Sequence, residues 1–272
     1  MAQALRRRAP AGVQLTALGR EEADLMNPAA CARLVERSDT DAVILAAAWT
    51  AVDRAETEPD AARIVNGEAP AAIARAAAAR GLPLVHLSTD YVFPGTGGGP
   101  WRPQDPVAPL NAYGRSKRLG EEGVLAAGGR AVILRTSWVF SAQGTNFVKT
   151  MLRLGRERES LRVVADQQGG PTPADAIAEA CLEIAAALRE GADGGIHHLS
   201  GAPDTTWAGF AEAIMAEAGL RTRIEPIATA DYPTPARRPL DSRLDCTSLA
   251  EAFGIRRPDW RAALREVLAE LR

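Results

Sequence analysis

Two residues four positions apart, Tyr113 and Lys117, have the chemistry of a proton donor and of the cation that tunes it. Side chains at positions i and i+4 lie on one face of a helix, so a helix here would place the ammonium group beside the phenol. A free tyrosine has a pKa near ~10, and a neighbouring cation favours the phenolate and lowers that value. We therefore predict that Tyr113 protonates a carbonyl oxygen while a hydride reaches the carbonyl carbon.

The tyrosine and lysine pair also occurs by chance in many helices, so its neighbours in the fold matter. The apolar run Leu84–Leu87 is typical of a buried parallel strand, and Ser88 and Thr89 follow at its carboxyl end. Ligands of open α/β sheets bind beyond the carboxyl ends of the strands. We therefore predict that the Thr89 hydroxyl hydrogen-bonds the same carbonyl oxygen.

The composition is typical of one globular enzyme chain. Its 272 residues can bury a full core, and a net charge of −2 gives no electrostatic reason to bind nucleic acid. No apolar run approaches the ~18 residues of a membrane span, and no signal-peptide core is present, so we expect a cytoplasmic protein without a membrane partner. The cysteines and histidines show no metal-ligand spacing, so we expect no metal site.

The pattern of apolar runs and helix signals predicts an α/β fold with a doubly wound parallel sheet. Buried strands are predicted at Ala42–Ala48, Leu84–Ser88 and Ala131–Thr136, and a short strand at Val13–Leu18. Arg20 lies just beyond that short strand, where an arginine accommodates the extra phosphate of NADPH. The Gly/Pro-rich loop of residues 94–109 is long enough to be a lid or binding loop, with Trp101 as its anchor.

Two lobes are predicted from the order of these elements. Residues 1–142 should form the dinucleotide-binding domain, and residues 161–190 should return to it. Residues 143–160 and 191–272 should form a smaller C-terminal α/β substrate lobe.

Three segments together resemble a known enzyme family: Ser88–Phe93, Pro109–Gly114 with Lys117, and Arg135–Phe140. They are similar to motifs of the extended short-chain dehydrogenase/reductases and, more narrowly, of the dTDP-4-dehydrorhamnose reductases, from about Leu18 to the C-terminus. The resemblance implies a Rossmann-like fold and NADPH as the cofactor, with NADH possible. It implies reduction of the 4-keto group of dTDP-4-dehydro-6-deoxy-L-mannose to dTDP-L-rhamnose, in cell-surface polysaccharide biosynthesis, by a monomer or homodimer.

The resemblance also implies roles for individual residues. Thr89, Tyr113 and Lys117 would be catalytic, with Lys117 lowering the pKa of Tyr113 and holding the nicotinamide ribose. Further cofactor contacts would come from Asp24, Leu25, Ala47, Ala48, Trp49 and Thr50. Substrate contacts would come from Thr89, Asp90, Tyr91, Trp138 and Arg237. Each has a plainer alternative, such as a packing alanine, a core tryptophan or a solvated arginine.

Two other functions stay open at this point. An epimerase or dehydratase of the same superfamily would act on a nucleotide sugar and recycle a bound NAD. A non-catalytic binding subunit is the other alternative, because the superfamily contains a regulatory partner of methionine adenosyltransferase.

The start of the chain departs from the family pattern. A dinucleotide-binding sheet normally begins with a central strand and a Gly-rich turn whose N–H groups meet the pyrophosphate. Met1–Leu5 instead resembles the helix that follows that turn. We therefore expect that roughly a dozen residues, the first strand and its turn, are missing from this sequence, because the start site is assigned too late or because the chain was shortened. Unpaired strand edges and weak cofactor binding should follow.

Overall fold

The computed structural model describes residues 1–96 and 98–272 as an α/β protein. The helices are α1 (Ala2–Arg8), α2 (Pro28–Arg37), α3 (Val52–Thr57), α4 (Pro59–Arg63), α5 (Ala69–Ala79), α6 (Ala112–Ala126), α7 (Phe147–Glu157), α8 (Ala174–Arg189), α9 (Trp207–Ala218), α10 (Thr247–Phe253) and α11 (Trp260–Glu270). The strands are β1 (Val43–Leu45), β2 (Leu84–Thr89), β3 (Ala131–Thr136), β4 (Val139–Phe140), β5 (Ser160–Val164), β6 (Gln168–Gly169), β7 (Thr172–Pro173), β8 (Gly195–Leu199), β9 (Thr205–Thr206) and β10 (Arg223–Ile227). A π-helical turn spans Ile64–Glu68, and 3₁₀ turns span Asp90–Val92 and Thr229–Asp231.

The main sheet is parallel and has the strand order β1-β2-β3-β8. Every residue of β2 is buried, as expected of a central strand with helices on both faces. The register pairs Thr89 of β2 with Thr136 of β3, so the two strands end at the same edge of the sheet. The predicted doubly wound parallel sheet is confirmed.

Alternate residues of the central strands enter two different cores, because successive side chains of a strand point to opposite faces. Val85 and Val132 pack on one face against Ile177 of α8, together with residues of α1 and α10. Leu84 and Ile133 pack on the other face with residues of α2, α5 and α6. The sheet is therefore held between two layers of helices.

A separate core lies in the C-terminal part of the chain. It is formed by β4, β5, α7, α9 and α11, and its largest fully buried side chains are Phe140, Phe210 and Trp260. Strands β5 and β10 form a parallel pair beside it. Strand β8 lies in the main sheet, which differs from the assignment of residues 191–272 to the smaller lobe.

The strand predicted at Val13–Leu18 is wrong, since the segment has no strand pairing and both of its end residues are about half exposed. Strand β1 is also shorter than the predicted Ala42–Ala48, because only Val43–Leu45 pairs with β2. Among the described residues, the other edge of β1 has no strand beside it. An extended segment becomes a strand only through ladder hydrogen bonds. In the described part of the chain, Val13–Leu18 has no neighbouring strand to supply them, and β1 receives them from β2 alone.

Trp101 anchors the loop of residues 94–109, of which Gly97 lies outside the described residues. Its backbone N–H donates to the Arg243 carbonyl at 2.8 Å, and its carbonyl accepts from the Asp245 N–H at 2.8 Å. The indole N–H donates to the Asp241 carbonyl at 2.9 Å, and the ring stacks on Phe93 at 5.0 Å. The predicted anchor is confirmed, and the role of the loop as a lid stays a prediction.

Candidate active site

The end of β2 places the Thr89 hydroxyl at the edge of the sheet. Thr89 caps the 3₁₀ turn that follows, because its Oγ1 accepts a hydrogen bond from the Tyr91 N–H at 3.2 Å. The same hydroxyl donates to Asp90 Oδ1 at 3.0 Å. Thr89 and Asp90 are both buried, so their polar groups depend on each other rather than on bulk water.

The first turn of α6 places Tyr113 against this turn. Asn111 caps the helix by accepting from the Gly114 N–H at 2.8 Å, and Glu56 accepts from the Ala112 N–H at 2.7 Å. A Cβ atom at Gly114 would lie 2.2 Å from the Tyr91 carbonyl oxygen. Glycine is therefore required at position 114 for α6 to approach the end of β2 so closely.

The Tyr113 phenol lies beside Tyr91 and within hydrogen-bonding reach of Thr89. Its ring meets the Tyr91 ring edge to face, with the centroids 5.5 Å apart. Burial raises the pKa of Tyr113 to about 12, a hydrogen bond with Thr89 acts in the opposite direction, and the Asp90 charge raises it further. Tyr113 is therefore a protonated donor at neutral pH.

Lys117 lies one helical turn after Tyr113, but it does not act on the phenol as expected. Its Nζ donates to the Leu87 carbonyl of β2 at 2.7 Å, and burial lowers the pKa of Lys117 to about 8 while Glu121 raises it. The expectation that Lys117 lowers the pKa of Tyr113 is wrong for the free protein. Burial dominates that pKa and raises it instead.

The Lys117 ammonium group fits a nicotinamide ribose. It is only 2% exposed, and its three N–H donors find a single hydrogen-bond acceptor among the described residues, the Leu87 carbonyl. Ribose hydroxyls are acceptors of the required kind. This buried donor could therefore hold a cofactor hydroxyl.

Asn66, which is not among the predicted site residues, holds the segment after β1 against α6. Its side-chain oxygen accepts from the Trp49 N–H at 2.9 Å, and its Nδ2 donates to the Trp49 carbonyl at 3.0 Å and to Ser116 Oγ at 2.9 Å. Trp49 packs in the same small cluster as Tyr113. Ala48 is partly exposed, and Ala47 and Thr50 are exposed, so this segment presents open backbone near the phenol. An asparagine inside an Ala-rich helical segment was the available signal.

The other two predicted cofactor residues lie elsewhere. Leu25 is buried in the core with Leu45 and Ile73. Asp24 is exposed and accepts from the Met26 N–H at 3.0 Å, which fixes its own turn. The described contacts of Asp24 and Leu25 do not include Thr89, Tyr113 or Lys117.

Trp138 follows β3 at the same edge of the sheet as Thr89. Its backbone is left-handed, with φ at 48°, a strained conformation that a tryptophan adopts only when its surroundings enforce it. Its ring stacks on Trp207 with the centroids 3.7 Å apart, and it lies so close to Gly169 that a Cβ atom there would be 2.7 Å from the ring. Sequence reasoning missed Trp207, which gave no signal beyond its position at the start of a helix.

The arginines of the loop before α10 have different environments. Arg237 is exposed, and within the described part of the chain only its carbonyl is engaged, accepting from Asn111 Nδ2 at 2.8 Å. Arg238 instead makes a two-point ion pair with Asp53: its Nη1 donates to Oδ1 at 2.6 Å, and its Nη2 donates to Oδ2 at 2.7 Å. That hydrogen bonding lowers the pKa of the Asp53 carboxyl. Arg238, rather than Arg237, is thus the arginine held in a fixed orientation. The sequence alone does not show which of two adjacent arginines has such a partner.

A buried ion pair supports α6 behind the site. Glu121 accepts from Arg135 Nε at 2.8 Å and from its Nη2 at 2.7 Å, and both side chains are at most 4% exposed. Ser88 Oγ adds a third hydrogen bond to Glu121 at 2.5 Å. The pair therefore links the helix of Lys117 to β2 and β3.

Two further properties concern metal ions and membranes. Within residues 1–96 and 98–272, His, Cys, Asp and Glu side chains form no group of three or more that could hold a metal ion. In the same residues, every helix is too short or too polar to cross a lipid bilayer.

The chain is similar in sequence to reductases of nucleotide sugars. A family model described as the RmlD substrate binding domain matches residues 1–272. The dTDP-4-dehydrorhamnose reductase of Burkholderia thailandensis is 49% identical over 264 residues, which cover 92% of this chain and 89% of that protein. The enzyme of the same name from Escherichia coli K12 is 42% identical over 255 residues, covering 91% of this chain and 85% of that protein.

Solved structures agree with these relatives. A dTDP-4-dehydrorhamnose reductase from Clostridium acetobutylicum superposes with a TM-score of 0.93 at 32% identity, covering 99% of this chain and 95% of that one. The dTDP-4-dehydrorhamnose reductase from Bacillus anthracis, in complex with NADP, superposes with a TM-score of 0.89 at 32% identity. The match covers 98% of this chain and 94% of that one. A dTDP-glucose 4,6-dehydratase from Streptomyces venezuelae superposes with a TM-score of 0.72 at 21% identity, covering 91% of this chain and 77% of that one. A likeness at this identity shows a shared fold alone.

Proposed function

This chain belongs to the RmlD family of dTDP-4-dehydrorhamnose reductases, and we propose that it reduces dTDP-4-dehydro-6-deoxy-L-mannose to dTDP-L-rhamnose with NADPH. It is an oxidoreductase of dTDP-rhamnose biosynthesis. The observation that carries this proposal is the meeting of Thr89 and Tyr113 beyond the carboxyl ends of β2 and β3, where a ketone can be hydrogen-bonded and protonated.

The protein supplies the acid and the orientation. Tyr113 donates its proton to the developing alkoxide at the sugar C4 oxygen, since the raised pKa keeps it protonated until that charge appears. Thr89 orients the keto oxygen beside the phenol. Asp90, Tyr91 and Trp138 contact the sugar, an assignment supported by their positions at the same edge of the sheet.

NADPH, when bound, supplies the hydride to the keto carbon. Lys117 holds the nicotinamide ribose, which is supported by its buried and underused donors. The segment Ala47–Thr50 receives the cofactor beside Tyr113, with Asn66 fixing Trp49. Arg238 is better placed than Arg237 to bind the diphosphate of the substrate, because it is already oriented by Asp53.

The test is the stoichiometry of the reaction. Loss of nicotinamide absorbance is followed with the dTDP-4-keto sugar, and dTDP-L-rhamnose is quantified by chromatography. The proposal expects one NADPH consumed for each rhamnose formed, and parallel runs with NADH measure the cofactor preference. Sugar conversion without net NADPH loss would instead indicate an epimerase or dehydratase, and cofactor binding without turnover a binding subunit.

We also propose that the protein acts in the cytoplasm as a monomer or homodimer. Light scattering coupled to size-exclusion chromatography distinguishes the two assemblies. Fractionation of cells that express the natural gene tests the location.

A further inference from the structure

We propose that Asp90 is the proton source behind Tyr113: its carboxylic acid passes a proton through the Thr89 hydroxyl to the phenolate that each reduction leaves. This inference rests on the reductase function proposed above. It assigns Asp90 a task beyond contact with the sugar.

The three groups form a continuous polar chain at the end of β2. The Tyr113 phenol interacts with the Thr89 side chain, and Thr89 Oγ1 lies 3.0 Å from Asp90 Oδ1. The alternative path along α6 starts at Lys117, whose described hydrogen bond goes to the Leu87 carbonyl instead. Among the described residues, the connected path from the phenol therefore leads to Asp90.

The environment of Asp90 favours a carboxylic acid. The residue is 3% exposed, and its Oδ2 has no hydrogen-bond partner among the described residues. An ionised carboxylate with an unpartnered oxygen is costly to bury, whereas a protonated one becomes a donor. Burial accordingly raises the pKa of Asp90 to about 6, while interactions with Ser242 and Thr89 lower it.

The protonation state of Asp90 sets the direction of the hydrogen bonds. The Thr89 hydroxyl has one proton to donate and two lone pairs, one of which accepts from the Tyr91 N–H. When Asp90 is ionised, Thr89 donates to Asp90 and can only accept from Tyr113. When Asp90 is protonated, it donates to Thr89, whose own proton turns towards the Tyr113 oxygen. The Tyr113 proton is then free to point at the substrate ketone, and in this state Thr89 orients the ketone through the Tyr113 phenol rather than by a hydrogen bond of its own.

The proton transfer balances. The Tyr113 O–H bond breaks as its proton moves to the oxygen of the alkoxide that hydride transfer creates. The Thr89 proton then moves to the phenolate, and the Asp90 proton moves to Thr89, which leaves an aspartate. Asp90 recovers a proton from water when the product leaves and the site opens.

The surroundings of Asp90 contain few other groups that titrate near neutral pH. Tyr91 and Tyr113 both have pKa values raised by burial, so they stay neutral. On the C-terminal segment, Asp241 and Arg243 flank Ser242 and pair with each other at 2.6 Å. Beyond Tyr91, Arg238 pairs with Asp53. A pH response near 6 is therefore assigned to Asp90.

Two substitutions test the relay in opposite ways. In the wild type, kcat for ketone reduction should fall as the pH rises above about 6. Asp90→Asn can still donate to Thr89 but has no proton to pass, so kcat should fall by roughly 10²-fold and lose this pH dependence. Ser242→Ala removes a group that stabilises the ionised form, so the fall in kcat should move to higher pH. A wild-type kcat with a wild-type pH profile in Asp90→Asn would overturn the relay, and so would a Ser242→Ala profile shifted to lower pH.

A measurement without turnover checks the same assignment. Carbon NMR of aspartate-labelled free protein should show a carboxyl that titrates near pH 6, is absent in Asp90→Asn, and titrates at higher pH in Ser242→Ala. Circular dichroism establishes that both variants are folded. A wild type that consumes no NADPH would refute the proposed function itself, whereas an active wild type with an unaffected Asp90→Asn variant would refute only the relay.

Discussion

Replacing Lys117 by methionine should stabilise the free protein while it abolishes reductase activity. The ammonium group is 2% exposed, and burial lowers its pKa from 10.5 to about 8. A difference of this size corresponds to about 3 kcal/mol of unfavourable free energy in the folded state. Losing the hydrogen bond to the Leu87 carbonyl removes about 1 kcal/mol of stabilisation. The net expectation is a gain of about 2 kcal/mol at neutral pH.

The pH dependence gives this prediction a second, independent signature. Because the folded-state pKa lies below the unfolded one, the unfolded chain binds more protons between about pH 8 and pH 10.5. The stability of the wild type should therefore rise with pH across this window. The methionine variant lacks the ammonium group, so the difference in the free energy of unfolding between the two proteins should narrow as the pH rises.

The assay is urea unfolding followed by circular dichroism at several pH values. Lys149→Met is the matched control, because Lys149 is only half-buried and donates to the Ala142 carbonyl at 3.3 Å. It should leave stability nearly unchanged. The reasoning would be refuted if Lys117→Met were less stable than the wild type at neutral pH. It would also be refuted if the stability advantage of the variant persisted above pH 10.

Three further substitutions separate the roles of the site. Tyr113→Phe should lower kcat by roughly 10²–10⁴-fold while NADPH binding, measured by nucleotide fluorescence, is retained; full activity would exclude Tyr113 as the acid. Asp53→Asn should raise KM for the sugar nucleotide by freeing Arg238, whereas Asp60→Asn, whose side chain is 89% exposed, should not; equal KM values would contradict this. Glu121→Gln should lower the free energy of unfolding by about 3–5 kcal/mol, because it leaves a buried guanidinium unpaired; urea unfolding checks this, and a loss below about 1 kcal/mol would contradict it.

Local sequence patterns predicted the elements that carry their own signals. The Leu84 and Ala131 strands are buried apolar runs, and α6 begins at an asparagine cap, so their positions agree with the structure. The segment Val13–Leu18 has a strand-like pattern, but strand formation depends on a neighbour that a local pattern does not reveal. A local pattern is therefore sufficient only where the partner is present.

The candidate site shows the same limit at the level of side chains. The spacing of Tyr113 and Lys117 placed both on one face of α6, but it did not reveal that Lys117 bonds to the backbone of β2. The partners of Glu121 and Arg238 are 14 and 185 residues away in sequence. Contacts over such separations depend on tertiary packing, which no short motif encodes.

The stacked pair of Trp138 and Trp207 makes the protein a spectroscopic sensor of its own site. Two indole rings with centroids 3.7 Å apart and nearly parallel planes should couple electronically and give a distinctive near-ultraviolet circular dichroism band. The signal comes from two of only five tryptophans in the chain. A sugar nucleotide that moves either ring would change this band, so occupancy can be titrated with unlabelled protein and without catalysis.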